Sequence, residues 1–203
     1  MRRRTFDWLM SAGGVVVTVV LIVAGALLFA GYSFAHNQVT TQLSEQKIFF
    51  PAAGSEAITS LPKADQQAMN QYASPVVNGQ GQQLTTGPQA ETYANHFIAV
   101  HLNEIGGGQT YAQVSGKALA DPTNTKLADQ ANTLFKGTTL RGMLLNAYAF
   151  WTFGTIAFIA MWAAFGLAAI MAIFAILGFW HLRKVDEEAE LMAPSLHLHR
   201  EAV

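Results

Sequence analysis

The chain has no cysteine among its 203 residues, so no disulfide framework, iron–sulfur ligation, thiolate zinc site or lipoprotein anchor can be built from it. Charge is scarce too: Asp, Glu, Lys and Arg make up 12% of the sequence, against roughly 25% in a soluble average. A formal net charge of −1 leaves no basic surface to neutralise phosphates, which excludes a nucleic-acid partner. Whatever the chain folds into is held by packing.

What it has instead is apolar length. Hydrophobic residues make up 51%, and they are concentrated in two runs without charge, 28 residues from Trp8 to Ala35 and 39 residues from Gly142 to Trp180. A bilayer core needs about 20 apolar residues in a helix, and each backbone amide in lipid must be bonded within its own segment. The sequence therefore predicts an all-α membrane protein: two transmembrane helices with an extracytoplasmic α-helical domain between them. The expected boundaries are a cytoplasmic start (1–8), helix one (9–35), an outer domain (36–141), a lead-in helix with helix two (142–180) and a cytoplasmic tail (181–203).

Short flanks set orientation. Arg2, Arg3 and Arg4 precede the first run, and Arg183 and Lys184 follow the second, which puts both termini on the cytoplasmic side of a bacterial membrane. Residues 36–141 carry seven acids and six bases, the lack of positive bias expected outside. Arg2–Arg4 followed by apolar residues and Ser33-Phe34-Ala35 also has the look of a cleavable signal. The apolar stretch Leu9–Ala30 exceeds the roughly 7–15 residues of such a signal, so an uncleaved anchor is expected. The arginines before Phe6 match a twin-arginine signal only incompletely, and positive-inside anchoring accounts for them.

Val15–Val23 is rich in β-branched residues suited to a lipid-facing surface, whereas Ala26 and Ala30 supply small residues toward the outer end. Ala160, Ala164, Ala168 and Ala172 recur every four residues on the second helix. These six alanines are the expected packing positions, toward the other helix or a partner subunit. Asn146, Tyr148, Trp151 and Thr152 interrupt the start of the second run, so Gly142–Thr152 is expected to lead in and Phe153–Phe179 to span, tilted. Neither span contains an ionisable residue, which argues against proton relays and ion-coupled transport.

In the outer segment, Val39 and Leu43 extend helix one toward a stop at Pro51. Pro62 can start a helix carrying Met69 and Tyr72, and Asn78–Thr86 reads as irregular. The clearest helix begins at Pro88 and carries Tyr93, Phe97, His101 and Ile105 to a stop at Gly106-Gly107-Gly108. Thr110 and Asp121 are the expected N-caps of two more helices, with Val114 on one and Leu127, Ala131, Leu134 and Phe135 on the other. No alternating apolar run predicts a sheet.

Chemistry is hard to find. His96 and His101 lie five apart, about 140° around an α-helix, so they point away from a common ion. The stretch HFIAVH lacks the spacing of a zinc-protease helix. His101 with Glu104 is better spaced, but the ligand set is incomplete; His197 and His199 form a similar weak pair. Gly106–Gly108 ends a helix and lacks the lysine of a phosphate loop. No nucleophile elbow appears, and Asp186–Glu190 reads as solvated surface. Neither a catalytic residue nor a cofactor or metal ligand set is assigned.

Over YANHFIAVHLNEI (Tyr93–Ile105), Thr110-Tyr111, Leu134-Phe135 and TLRGMLLNAYAFW (Thr139–Trp151), the chain resembles a family of uncharacterised actinobacterial two-pass membrane proteins. The resemblance implies no activity and no catalytic residues. Its architecture is similar to accessory subunits of actinobacterial respiratory supercomplexes. The function expected is that of a non-catalytic accessory or interaction subunit, with the bilayer and other membrane subunits as partners. The alternatives are a membrane-anchored ligand-binding or sensing domain and, last, an outer-surface enzyme using His101 and Glu104.

Overall fold

The structure is a computed structural model that describes residues 3–184. His197, His199, the acidic stretch Asp186–Glu190 and Arg2 lie outside the described residues. Helix dominates. The elements in order are α1 (Arg3–Glu45), β1 (Phe49–Pro51), α2 (Glu56–Thr59), α3 (Lys63–Asn70), β2 (Gln80–Gln83), α4 (Gly87–Tyr93), a π-helical turn (Ala94–Ile98), α5 (Ala99–Gly106), α6 (Tyr111–Ala120) and α7 (Thr125–Leu182). Helices α1 and α7 are long and apolar enough to cross a membrane. Only 11% and 17% of their apolar windows are buried, unlike the core helices of a soluble protein. The chain divides into two compact units, one of Met1–Ala30 with Ala157–Val203 and one of Gly31–Ile156.

The first unit is a helix pair. Gly14 lies against Ala175, Gly25 against Phe165 and Ser11 against Gly178, so ascending numbers on one helix meet descending numbers on the other and the pair is antiparallel. One face of each helix carries a line of buried and half-buried positions, Ser11, Gly14, Thr18, Leu21, Gly25 and Leu28 on α1 and Met161, Ala164, Ala168, Met171, Ala175 and Gly178 on α7, with half-buried Ala12, Ala24, Ala160, Phe165 and Ala172 among those flanking it. The spacing alternates three and four on both helices, the heptad rhythm of a left-handed coil. Gly14, Gly25 and Gly178 leave room for side chains of the opposite helix. A Cβ on Gly25 would stand 2.6 Å from Phe165 Cε1.

The second unit has a core of Val39, Leu43, Phe50, Ile58, Leu61, Met69, Leu84, Ala90, Ala94, Ile98 and Leu144. A smaller cluster joins Val114, Ala131 and Leu134. Three expectations are corrected here. First, the unit is not purely helical, because β1 and β2 pair antiparallel with Phe49 opposite Gln83 and Pro51 opposite Gln80. Asn78–Thr86 is therefore largely strand and turn. Second, α1 ends at Glu45 and not at Pro51: Lys47 adopts a positive φ of 52°, which breaks the helix and releases Phe49–Pro51 into the sheet. Gln83 Nε2 then donates to the Ser44 carbonyl at 2.8 Å, satisfying one of the carbonyls that the helix end leaves open. Third, Asp121 caps the C-terminus of α6, and the side chain that receives an N-terminal amide of α7 is Asn124, from Leu127 N at 3.1 Å.

Other boundaries follow the residues expected to set them. Thr110 caps α6 in a capping box with Gln113. Gly107 takes the left-handed conformation at the end of α5, and Gly108 N donates to Asn103 O at 2.9 Å, closing a Schellman-type turn. At α4, Thr86 and Gln89 form a second capping box. Gln89 is buried; its Oε1 accepts from Thr85 N at 2.8 Å and Thr86 N at 3.0 Å, while Nε2 donates to Gln82 Oε1 at 3.2 Å. One side chain thus ties β2 to the start of α4.

Candidate functional site

Three places carry arrangements beyond ordinary core packing. The first is the seam of the helix pair. Ala164 and Ala168 are buried in it, Ala160 and Ala172 are half-buried beside it, and Ala26 and Ala30 are exposed. A four-residue repeat drifts across a seam with a period of 3.5, so the alanine stripe coincides with the seam at its middle and leaves it at both ends. The small residue that α1 does bury at this level is Gly25. Around the seam the surface is apolar: Val16, Val20, Leu27, Ile159, Trp162 and Phe174 are all exposed.

The second place is the π-helical turn, which sequence periodicity did not anticipate. It lies inside the segment read as one helix from Pro88 to Gly106, and such turns recur at functional sites. His96 Nδ1 is 2.7 Å from Asp65 Oδ1, linking the turn to α3. Arg141 Nη2 donates to Asn95 Oδ1 at 2.8 Å and its Nε to Ala94 O at 3.3 Å, while Asn95 Nδ2 donates to Glu91 Oε1 at 2.8 Å. Arg141 thereby fastens α7 to the turn. On the opposite partnership, His101 Nδ1 donates to Phe97 O at 2.8 Å. Phe50, Tyr93, Phe97 and His101 form a column of rings with successive centroids 5.4, 4.9 and 4.5 Å apart. Burial pushes the Tyr93 phenol above its ordinary value.

His96 and His101 are accordingly engaged by separate partners, and Glu104 is exposed. Among the described residues no group of three His, Asp or Glu is assembled as a ligand set. Asp65 and His96 form a pair that no third side chain joins by a hydrogen bond among the described residues. Beside the ring column lies a pocket of about 370 Å³ lined by Tyr93, Phe97, His101, Leu102, Lys136 and Leu140, among others.

The third place is a groove of about 590 Å³ between the parts of α1 and α7 that belong to the second unit. Gln38, Gln42, Gln46 and Asn146 line it together with Phe34, Met143 and Phe150, and it has no ionisable side chain. Below it, Gly154 admits His36: a Cβ there would be 2.6 Å from His36 Nδ1, and the imidazole rests on Trp151 with centroids 3.8 Å apart. Neither Trp151 nor His36 was singled out as a partner of the other by sequence, because the residues lie more than a hundred positions apart.

No family model, curated protein or solved structure matches the chain.

Proposed function

We propose that this chain is a non-catalytic integral membrane protein that acts as an accessory or interaction subunit of a membrane complex. The proposed topology places both termini in the cytoplasm and residues 36–141 outside a bacterial cytoplasmic membrane. The observation that carries the reading is the inverted surface of the helix pair: Gly14, Gly25, Ala164, Ala168 and Ala175 are enclosed in the seam, while large apolar side chains such as Val16, Val20, Leu27, Ile159, Trp162 and Phe174 are exposed. Water would penalise such a surface, while lipid or another apolar helix would accept it.

Two measurements test it. After alkaline carbonate extraction the protein should stay with the membranes, and a cysteine placed at Gly79 should react with an impermeant reagent on intact cells while one at Ala202 should not. Purification in a mild detergent should then retain stoichiometric partner subunits. Recovery as a lone chain from intact membranes would sink the accessory role while leaving the topology standing.

A further inference from the structure

The pocket beside the π-helical turn has the chemistry of a particular ligand class. Phe97, Ile98, Leu102, Ile105 and Leu140 line it as an open groove, so an apolar chain is favoured along it. No acidic side chain lines it, yet Lys136 does, exposed and engaged in no ion pair or hydrogen bond among the described residues. A cation at the edge of an apolar groove favours an anionic head over a neutral one.

His101 adds direction. The Phe97 carbonyl 2.8 Å from Nδ1 can only accept, so Nδ1 carries the hydrogen and Nε2 is the polar atom the ring has left. That nitrogen is the one the ring can offer to a ligand's carboxyl group. The floor is fixed by Gly137, where a Cβ would stand 2.5 Å from Leu102 Cδ2, so only glycine lets Leu102 seat where it does. The volume of about 370 Å³ falls within the usual range for small-molecule sites, roughly 300–1,000 Å³.

We propose that this pocket binds a single-chain amphiphilic carboxylate, its chain against Phe97, Leu102 and Leu140 and its carboxyl group on Lys136 and His101. The site lies wholly within residues 31–156 and does not depend on what the apolar helix pair spans or which subunits it meets.

The test uses the full chain in phosphatidylcholine nanodiscs, irradiated with a decanoate that carries a diazirine at its chain end. Cross-links should fall in peptides covering 97–105 and 133–140. Unlabelled decanoate should suppress them at about tenfold lower concentration than methyl decanoate, the scale of one charge-assisted contact. Lys136→Gln should lower the labelling by a similar factor with circular dichroism unchanged. Equal suppression by acid and ester would overturn the proposal, as would cross-links confined to 9–30 and 153–180. Should the Lys136 variant fail to fold, the acid and ester comparison on the unaltered protein decides. Loss of labelling when phosphatidylglycerol is added to the disc would reassign the anion to a lipid phosphate and overturn the carboxylate. Carbonate extraction, scored separately, keeps a failure of membrane insertion distinct from a failure of the pocket.

Discussion

The two units use the same apolar side chains in opposite ways. In residues 31–156 Phe50, Ile58, Met69, Leu84 and Leu144 are almost wholly enclosed, with half-buried side chains such as Tyr72, Tyr93, Phe97 and Leu140 packed against them. In the helix pair most of the large ones are exposed, and the enclosed positions are glycine, alanine and serine with Met161 as the one large side chain among them. The first arrangement gains its stability by removing apolar area from water. The second fits small positions on one helix to side chains of the other, contacts that would hold the helices by dispersion in the apolar surroundings proposed for them.

The sharpest way to break this contrast is a deletion in the enclosed core. Phe50→Ala should cost about 3–5 kcal/mol, read as lost hydrogen-exchange protection across residues 48–100, whereas exposed Phe150→Ala should stay within about 0.5 kcal/mol. Similar losses from both would mean that the core is not what holds the unit.

Bulk added to the seam comes next. Ala164→Leu with Ala168→Leu should destabilise the helix pair by roughly 1–3 kcal/mol per site, measured by thermal unfolding in detergent, because overpacking forces close backbones apart. Ala26→Leu with Ala30→Leu is the matched control and should be near neutral. If the control pair is the damaging one, the seam has been assigned to the wrong face.

Smaller again is the cap of α4. Thr86→Ala removes the oxygen that accepts from Gln89 N and should cost about 1 kcal/mol in unfolding of residues 31–156. Thr110→Ala, at the equivalent place on exposed α6, should cost less, since fewer contacts depend on it.

The gentlest effect concerns Tyr93. Its folded value lies above its unfolded value because burial disfavours the phenolate, so its stabilising contribution is complete below the ordinary value of 10.0 and is lost as pH rises through the folded value. Alkaline titration of unit stability should fall more steeply in the natural protein than in Tyr93→Phe above about pH 10. Identical slopes would show that the phenol is not buried enough to matter.

Much of the frame was legible in the chain itself. The two charge-free runs announced the long helices, the triple glycine announced the end of α5, and Thr110 announced α6, because each of these depends on neighbours in sequence. The sheet did not, since Gln80–Gln83 is polar with a glycine and acquires its partner only through the distant fold. The π-helical turn was invisible for a related reason: Tyr93, Phe97 and His101 sit at spacings that an α-helix also satisfies, and it is the Ala99 amide bonded five residues back to Ala94 O that marks the wider turn. Pairings such as Asp65 with His96 need α3 and the turn to be already in place. In the seam, a period of four was read where the packing runs at 3.5, so the middle alanines lie within it and the outer ones beside it.

The alternating three-four rhythm of that seam also makes the helix pair divisible. Ser11, Thr18 and Gly25 are one repeat apart, as are Met161, Ala168 and Ala175, so each helix is a ruler graduated in sevens. Cutting one graduation from both helices would shorten the pair by about 10 Å and return every remaining knob to a hole of the same kind. Cutting four residues from one helix alone would turn its far end by about 40°, and the seam would lose its phase from that point on.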